Sequence, residues 1–345
     1  MKDKSLLRVA LIFGGRGHER QISEKSAGHI FSSIDRARIS PIPIRIAEDG
    51  RWLASLGCHA SLYECVFDTE VYPAFIGGHH GFATIDGFID VDCAIPALHG
   101  DFGEDGRVQG ALECAGIRYV GCDVICGAVC SDKSYTKSVA EHLGIPVARW
   151  ICASRSDDIE NTVKRAEGQI GYPAFVKPTG LGSSIGAAMA DDRSTLILAI
   201  TDALSASDRI MIEECVSIRA ELECAYLGVG GTRRFSDIGM IECSGTYDYE
   251  SKYLSSSATV SDSCNIAEHL KKQILDYSAL LQSELGIRHL SRFDFFLTRD
   301  ERIIFNEINT FPGFTTSSLY PRLVARMGIS PSELITALVR EAIEP

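Results

Sequence analysis

The sequence lacks any run of about 20 consecutive apolar residues, the length that a membrane-spanning helix needs. It also lacks an excess of basic side chains: 34 Lys and Arg stand against 46 Asp and Glu, and the formal net charge is −12. Since a nucleic-acid backbone requires a basic surface, we expect neither nucleic-acid nor membrane partners. The first residues lead into a glycine turn without a small-residue cleavage site, so we expect a cytoplasmic protein.

The 12 cysteines contain no CxxC pair, the spacing typical of zinc sites. Cys122, Cys126 and Cys130 recur at every fourth position, which would place them on one side of a helix if one forms there. A metal site is one alternative, but we favour small buried thiols, because free cysteine behaves as a small core residue. Without a secretory signal we expect no disulfide bonds.

The chain of 345 residues exceeds the size at which a single core stops growing, about 250–300 residues, so we expect two or three domains. Predicted strands over residues 8–13 and 42–46 flank a predicted helix from residue 23. This alternation predicts an α/β fold with a parallel sheet and helices on both faces. Residues 55–85 show no clear pattern. No repeat or low-complexity linker interrupts the chain, so the domains should pack closely.

The clearest chemical signal is a predicted hairpin formed by "RFDFFL" and "RIIFNEIN", with its turn near residues 298–301. If Leu297 pairs with Arg302, then Asp294 lies opposite Phe305, and one sheet face carries four polar side chains: Arg292, Asp294, Glu307 and Asn309. Oxygen-bearing side chains beside an arginine suit Mg²⁺ that bridges phosphate oxygens. The alternative is a solvated, ion-paired face. We favour the metal site because four apolar residues are expected to pack behind this face: Phe293, Phe295, Ile304 and Ile308.

The loop "KPTGLGSSIG" is a second signal, since glycines let backbone N–H groups approach a phosphate and Lys177 adds a charge. Its order differs from a P-loop, in which the lysine follows the glycines. By itself the loop also fits a surface hairpin. Together with Lys133 upstream and "IMIEECV" downstream, which has the size of an adenine-binding hinge, it indicates a nucleotide site.

Several ordered motifs extend over nearly the whole chain: "GGRGHERQIS", "ALHGDFGEDGRVQG", "SDK", "FVKPTGLGSSIG", "YDYESKY" and "RFDFFL…FNEINTFPGFTTSSLYP". In this order they resemble the D-alanine–D-alanine ligase family of the ATP-grasp superfamily. The resemblance implies a three-domain ATP-grasp architecture with an N-terminal Rossmann-like parallel sheet and an α+β C-terminal part. The implied domains are residues 1–121, 122–215 and 216–345, and the implied assembly is a homodimer.

The family uses ATP to phosphorylate the carboxylate of one D-alanine, and the amine of a second D-alanine then displaces phosphate. The product is a precursor of peptidoglycan. By resemblance, the ATP-binding positions are Lys133, Lys177, Glu213, Glu214, Val216 and Glu221. The ligands of two Mg²⁺ or Mn²⁺ ions match Asp294, Glu307 and Asn309.

The resemblance also assigns residues to the amino-acid subsites. A hydrogen-bonded trio that ties the N-terminal loop to the mobile loop matches Glu19, Ser183 and Tyr253. Glu19 would bind the ammonium of the first D-alanine beside His99, and Lys252 would lie near the transferred phosphate. Arg292 and the backbone N–H of Gly313 match the groups that stabilise the oxyanion, where charge builds during amine attack. The second D-alanine would be bordered by Ser318 and Leu319.

Three alternatives stay open. A D-alanine–D-serine ligase is possible because a small pocket excludes one hydroxyl poorly, although Tyr253 and Leu319 favour D-alanine. An NAD-dependent oxidoreductase would need GxGxxG after the first strand, but Arg20 stands where the third glycine belongs. A nucleotide-binding pseudoenzyme would lack at least one of the four polar hairpin residues, and all four are present.

Overall fold

The computed structural model describes residues 6–182, 185–242 and 259–344. Its N-terminal part contains these elements in chain order: β1 (Leu7–Gly14), α1 (Arg20–Ser33), β2 (Ile39–Ile46), β3 (Trp52–Ala54), a 3-10 turn (Leu62–Glu64), β4 (Thr69–Glu70), β5 (Tyr72–Ile76), β6 (His79–Thr84), β7 (Gly87–Asp90), β8 (Cys93–Pro96) and α2 (Arg107–Cys114). The main sheet has the order β4-β3-β2-β1-β8. Strand β1 pairs in parallel with β2 and β8, as predicted, and β3 and β4 extend the sheet antiparallel.

Helices cover both faces of this sheet, because β1 is apolar on both sides. Val9 and Leu11 pack with Ile30 of α1 on one face. Ala10 and Ile12 pack with other apolar side chains on the opposite face, where α2 contributes Val108 and Leu112. The α/β prediction for this part is therefore confirmed.

Residues 55–85, to which the sequence assigned no element, contribute to a separate three-stranded antiparallel sheet of β5, β6 and β7. Gly77 and Gly78 join β5 to β6 with φ angles of +60° and +88°. Two consecutive residues in the left-handed region form the tight turn that matches the twist of a hairpin.

The central part contains α3 (Val124–Ser131), α4 (Lys133–His142), β9 (Trp150–Ser154), α5 (Ile159–Gln169), β10 (Ala174–Pro178), β11 (Ala188–Ala190), α6 (Arg193–Ala206) and β12 (Arg209–Glu214). Its antiparallel sheet has the order β11-β10-β12-β9, and α5 and α6 pack against it around their own apolar cluster. The glycine loop follows β10, so Lys177 lies at the end of a buried strand.

The C-terminal part contains β13 (Ile218–Val229), β14 (Thr232–Glu242), β15 (Thr259–Ser261), α7 (Glu268–Glu284), β16 (Leu290–Thr298), β17 (Ile303–Asn309), α8 (Leu319–Arg326) and α9 (Pro331–Ile343). Its antiparallel sheet has the order β15-β14-β13-β16-β17. One apolar cluster combines Leu11 of β1 with Leu290 of β16 and Leu338 of α9, so the N- and C-terminal parts share a core.

The hairpin of β16 and β17 forms where predicted, but its register differs. Leu297 pairs with Ile303 instead of Arg302, and a bulge between Asp294 and Phe295 then shifts the pairing so that Asp294 lies opposite Glu307. A bulge adds one unpaired residue to a strand, and alternation alone does not reveal it. The four polar side chains still share one face. The bulge moves Ile304 onto their side of the hairpin, where it packs with Phe296, and the prediction for Ile304 was wrong.

The glycines of the first turn admit close contacts within the protein. Gly14 has a φ of +92°, and a Cβ there would lie 2.4 Å from the carbonyl oxygen of Ile46. A Cβ on Gly17 would lie 2.4 Å from Asp101 Oδ1. These positions therefore require glycine, because the end of β2 crowds Gly14 and the loop after β8 crowds Gly17.

The three cysteines at every fourth position are buried, as predicted for small core residues. Cys126 and Cys130 lie on α3 with their sulfur atoms 4.0 Å apart, and Cys122 precedes that helix. All cysteines within the described residues are free thiols. Over the same residues, no helix is both long and apolar enough to cross a bilayer.

Candidate active site

One cleft gathers side chains from all three parts of the chain and encloses about 960 Å³, counting its open mouth. Its walls include the start of α1, the loop after β8, the start of α4, the glycine loop and the β16–β17 hairpin with the loop that follows. Predicted site residues that line it are Glu19, His99, Lys133, Arg292, Glu307, Asn309 and Gly313.

Arg292 and Asp294 form a two-point contact on the hairpin. Arg292 donates from Nε to Asp294 Oδ1 at 2.7 Å and from Nη2 to Oδ2 at 2.6 Å. Asn309 Nδ2 also donates to Asp294 Oδ2, at 3.0 Å. Burial alone would lower the pKa of Arg292, but the carboxylates of Asp294 and Glu223 raise it, so the guanidinium stays charged.

Lys133 connects the glycine loop to the hairpin. Its Nζ donates to the carbonyl oxygen of Leu181 at 3.1 Å and lies 3.3 Å from Glu307 Oε2. Burial alone would raise the pKa of Glu307, but the nearby charges of Lys133 and Lys177 lower it. Glu307 is therefore an ionised carboxylate in the cleft.

Lys177 and Lys137 contact the same carboxylate. Lys177 Nζ lies 2.6 Å from Glu213 Oε2, and Lys137 Nζ forms an ion pair with Oε1. All three side chains are buried. Although burial alone would raise the pKa of Glu213, the two lysines hold it at about 2. Lys137 was not among the predicted site residues, and its position one helical turn after Lys133 was the available signal.

The predicted purine hinge borders a small apolar cluster. Val216 packs beside Ile218, Phe296 and Ile304, separately from the larger cores. The Glu214 side chain forms an ion pair with Arg149 at 2.7 Å, so its backbone is the part available for the hinge. On β13, Glu221 lies opposite Phe296 of β16. An apolar surface with backbone groups at its edge suits a purine base.

Both ring nitrogens of His99 are engaged within the protein. Nδ1 lies 3.0 Å from the carbonyl oxygen of Phe311, which can only accept, so Nδ1 carries the proton. Nε2 then accepts from Ser26 Oγ at 2.8 Å, and Ser26 in turn accepts from the backbone N–H of Phe314. Burial lowers the pKa of His99 to about 4. His99 is thus a neutral side chain that connects α1 to the loop after β17.

Glu19 lies between two glycines that leave room for its carboxylate. A Cβ on Gly100 would lie 2.3 Å from Glu19 Oε2, and a Cβ on Gly182 would lie 2.9 Å from it. Gly100 belongs to the loop after β8 and Gly182 to the glycine loop. Glu19 therefore lies where these two loops meet. The hydrogen-bonded trio that the resemblance implies for Glu19 stays a prediction.

Glu104 was missed by the sequence analysis, although it lies in the motif "ALHGDFGEDGRVQG". Its carboxylate accepts from the backbone N–H groups of Gly100 at 2.8 Å and Phe311 at 3.1 Å. Burial raises the pKa of Glu104 to about 7. This side chain connects the loop after β8 to the loop that carries Gly313.

The residues predicted for the second amino-acid subsite lie less directly in the cleft. Ser318 lines a neighbouring groove between α1 and residues 60–63. Its Oγ interacts with Thr315 Oγ1 at 2.8 Å, and a Cβ on Gly313 would lie 2.9 Å from it. Leu319 is buried in the core. Ser183, Lys252 and Tyr253 lie outside the described residues.

The hairpin residues fit a hard divalent cation by their chemistry. Asp294, Glu307 and Asn309 offer two carboxylates and an amide oxygen, and Mg²⁺ uses one or two carboxylates together with substrate phosphates. Within the described ranges no group of three or more His, Cys, Asp or Glu side chains forms a complete metal site. Because Mg²⁺ completes its coordination with phosphate oxygens, two carboxylates and an amide suit a cation that arrives with a phosphate ligand.

Comparisons with known proteins agree with this fold. The family model "D-ala D-ala ligase N-terminus" matches residues 8–122, and "D-ala D-ala ligase C-terminus" matches residues 139–340. A D-alanine–D-alanine ligase from Caldicellulosiruptor bescii is 36% identical over 98% of this chain and 95% of its own length.

Two solved structures are also similar over 98% of this chain. The D-alanine-D-alanine ligase from Coxiella burnetii has a TM-score of 0.85 at 29% identity, and the match extends over 94% of that protein's chain. The VanG D-Ala:D-Ser ligase from Enterococcus faecalis has a TM-score of 0.88 at 32% identity and is covered completely, at 100%. The fold is that of the ATP-grasp superfamily, whose members use ATP. Within it, this chain belongs to the D-alanine–D-alanine ligase family.

Proposed function

We propose that this protein joins two D-alanines into D-alanyl-D-alanine at the expense of ATP, for peptidoglycan precursor synthesis. The observation that carries the proposal is the composition of one cleft. At one wall Glu19 offers a carboxylate suited to an ammonium group, and at another Lys133, Arg292 and Glu307 form a charged set suited to a phosphate. Family membership supplies the reaction that combines the two.

ATP is proposed to lie between the central sheet and the hairpin. Lys133 and Lys177 would bind its phosphates, and the cluster around Val216 would take the purine, with Glu213 and Glu214 in the hinge and Glu221 on the ribose. Asp294, Glu307 and Asn309 would hold two Mg²⁺ or Mn²⁺ ions. Bound there, divalent cations would neutralise phosphate charge and orient the transferred group.

The first D-alanine is proposed to bind with its ammonium at Glu19, near the loop that His99 and Glu104 hold in place. A carboxylate oxygen of this D-alanine then forms a bond to the γ-phosphorus while ADP leaves. Positioning of the two reactants is the main contribution of the protein to this step. Lys252, Ser183 and Tyr253 are proposed to act at this end of the site.

In the second step the amine of the other D-alanine attacks the acyl carbon, and phosphate departs with its electron pair. Negative charge then develops on the carbonyl oxygen. Arg292 and the N–H of Gly313 are proposed to stabilise it, since donors fixed before the reaction stabilise such a charge strongly. Ser318 and Leu319 are proposed to border the second amino acid.

D-serine is the second candidate for the accepting amino acid, because a solved structure of similar fold is named as a D-Ala:D-Ser ligase. A small pocket that accepts a methyl group excludes an added hydroxyl weakly. We retain D-alanine as the proposed substrate on the strength of the relatives that bear the name D-alanine–D-alanine ligase.

Phosphate release tests the proposal. With ATP, Mg²⁺ and D-alanine we expect steady release, no increase when D-serine is added, and background rates with D-lactate or L-alanine alone. Absence of D-alanine-dependent release would refute the proposed function. Faster release with D-alanine plus D-serine than with D-alanine alone, together with the mixed dipeptide in mass spectrometry, would make D-serine the second substrate. A cytoplasmic homodimer completes the proposal, and light scattering of the purified protein tests the dimer.

A further inference from the structure

Arg292 is flanked by two carboxylates on neighbouring strands. Glu223 of β13 lies opposite Asp294 of β16, and Asp294 lies opposite Glu307 of β17. Three acidic side chains therefore form a row across the sheet. Arg292 shares their face because it lies two residues before Asp294. Glu223 was not among the residues that sequence analysis selected.

The two carboxylates hold Arg292 in different ways. Asp294 accepts both directed hydrogen bonds, at 2.7 and 2.6 Å. Glu223 Oε2 lies 3.1 Å from Arg292 Nε, but it is buried without a hydrogen bond. Nε carries one hydrogen, which is directed to Asp294. Among the described residues, Arg292 is the cation that contacts the Glu223 carboxylate.

A buried carboxylate is costly unless it is paired, and Glu223 is only 5% exposed. Glu223 is buried beside an arginine that Asp294 already binds, and this arrangement therefore indicates a functional role for Glu223. Under the proposed function, Asp294 both contacts Arg292 and binds a divalent cation. Both of its oxygens are occupied by Arg292, and Asn309 also donates to one of them. To bind a divalent cation, Asp294 must release at least one of these contacts.

Resting on the proposed function, we propose that Glu223 is a positioning residue that holds the guanidinium of Arg292 while Asp294 exchanges its contact with Arg292 for a divalent cation. When Arg292 Nε no longer donates to Asp294, its hydrogen can be donated to Glu223 Oε2. Arg292 then stays in the cleft, aimed at the developing oxyanion, without competing for Asp294. The exchange moves hydrogen bonds and breaks no covalent bond.

Glu223→Gln tests this role because the amide keeps the shape and cannot become a carboxylate. Arg292 should then remain on Asp294 and compete with the cation. We expect the affinity for Mn²⁺ in the presence of ADP, measured by electron paramagnetic resonance without turnover, to fall about tenfold. At saturating metal, kcat should fall about 10–100-fold, as for outer-shell partners of metal ligands. The KM values for ATP and D-alanine should stay within about twofold, because Arg292 acts in the transition state.

Glu301→Gln is the matched control. It makes the same chemical change at the turn of the same hairpin, where Glu301 lies 3.4 Å from exposed Arg219. We expect wild-type Mn²⁺ affinity and kcat. Glu223→Asp, which restores a carboxyl group, should recover part of both quantities. A folded Glu223→Gln variant with wild-type Mn²⁺ affinity and wild-type kcat would overturn the proposal. A lower Tm with equal rises in every KM would also overturn it, because that result indicates a packing role.

A crystal structure of the wild-type protein with Mn²⁺ and ADP makes the test independent of variant folding. We expect Asp294 on the metal and Arg292 Nε hydrogen-bonded to Glu223. Arg292 still bidentate on Asp294, or removed from Glu223, would overturn the proposal. If wild-type protein released no phosphate with D-alanine, the proposed function would fail, while the Mn²⁺ titration and this structure would still decide the role of Glu223.

Discussion

Lys177 Nζ lies 2.6 Å from Glu213 Oε2, and the other oxygen of the same carboxylate contacts Lys137. Two buried ammonium groups therefore depend on one carboxylate. The surplus positive charge at this point is what an anionic phosphate would neutralise. Lys177 is held at the end of β10 before any nucleotide arrives, so little side-chain ordering is left for binding.

Removing Glu213 should damage the protein more than removing Lys137. Glu213→Gln removes the carboxylate that both buried lysines contact, and we expect the free energy of unfolding to fall by about 3–5 kcal/mol. Lys137→Met leaves the pair of Lys177 and Glu213 intact and should cost far less. Urea denaturation of both variants at pH 7 measures the difference. A loss for Lys137→Met as large as that for Glu213→Gln would contradict the shared-carboxylate arrangement.

Gly100→Ala should weaken binding of the first D-alanine. The added Cβ would lie 2.3 Å from Glu19 Oε2 and displace that carboxylate. We expect KM for the first D-alanine to rise about tenfold, which corresponds to about 1.4 kcal/mol. Gly144→Ala is the control, since Gly144 also has a positive φ, +74°, but no atom within 4 Å of the added Cβ. Initial-rate kinetics on both variants decide the matter, and equal KM values would count against the position of Glu19.

Glu307→Gln should lower turnover while the fold survives. The amide keeps the shape of the side chain but offers a metal one neutral oxygen, so we expect kcat to fall by at least about 100-fold. Asp300→Asn, a carboxylate-to-amide change at the exposed turn of the same hairpin, is the control. Circular dichroism checks the fold. Turnover of the Glu307 variant at the wild-type rate would refute its role in metal binding.

The raised pKa of Glu104, about 7, predicts a pH dependence of stability. In the unfolded chain this carboxyl would release its proton near 4.5. Between these values the folded state holds more protons, so folding is weakened as the pH rises from about 4.5 to about 7. Relative to Glu104→Gln, the wild-type protein should lose about 1–3 kcal/mol over this range. Urea denaturation from pH 4.5 to 8 measures it, and a pH-independent difference between the two proteins would contradict the shift.

The β16–β17 hairpin was predicted from the sequence only in part. Alternation along "RFDFFL" and "FNEIN" predicted the two strands and the shared face of Arg292, Asp294, Glu307 and Asn309, and the structure confirms both. The predicted pairing was wrong for two reasons: at the turn Leu297 pairs with Ile303 instead of Arg302, and a bulge beside Asp294 then shifts the register by one more residue. A bulge is fixed by how two strands fit together, which the sequence of either strand does not encode by itself.

Glu223 and Lys137 were not predicted from the sequence, because their partners are distant along the chain. Glu223 alternates with Glu221 along a strand that is buried on both faces, but its partner Arg292 lies 69 positions later on a different strand. Lys137 meets Glu213 only once α4 packs near the central sheet. By contrast, the two-glycine turn at Gly77 and Gly78 was a local signal for a hairpin, and the sequence alone could have revealed β5 and β6.

The central claim is that phosphate is transferred to the carboxylate of one D-alanine and then displaced by the amine of another. D-alanine labelled with ¹⁸O in both carboxylate oxygens tests this most directly. The carboxylate oxygen that attacks the γ-phosphorus leaves with phosphate when the amide bond forms. Mass spectrometry of the released phosphate should therefore find one ¹⁸O atom for each dipeptide made. Unlabelled phosphate, or phosphate release that does not depend on D-alanine, would contradict the account.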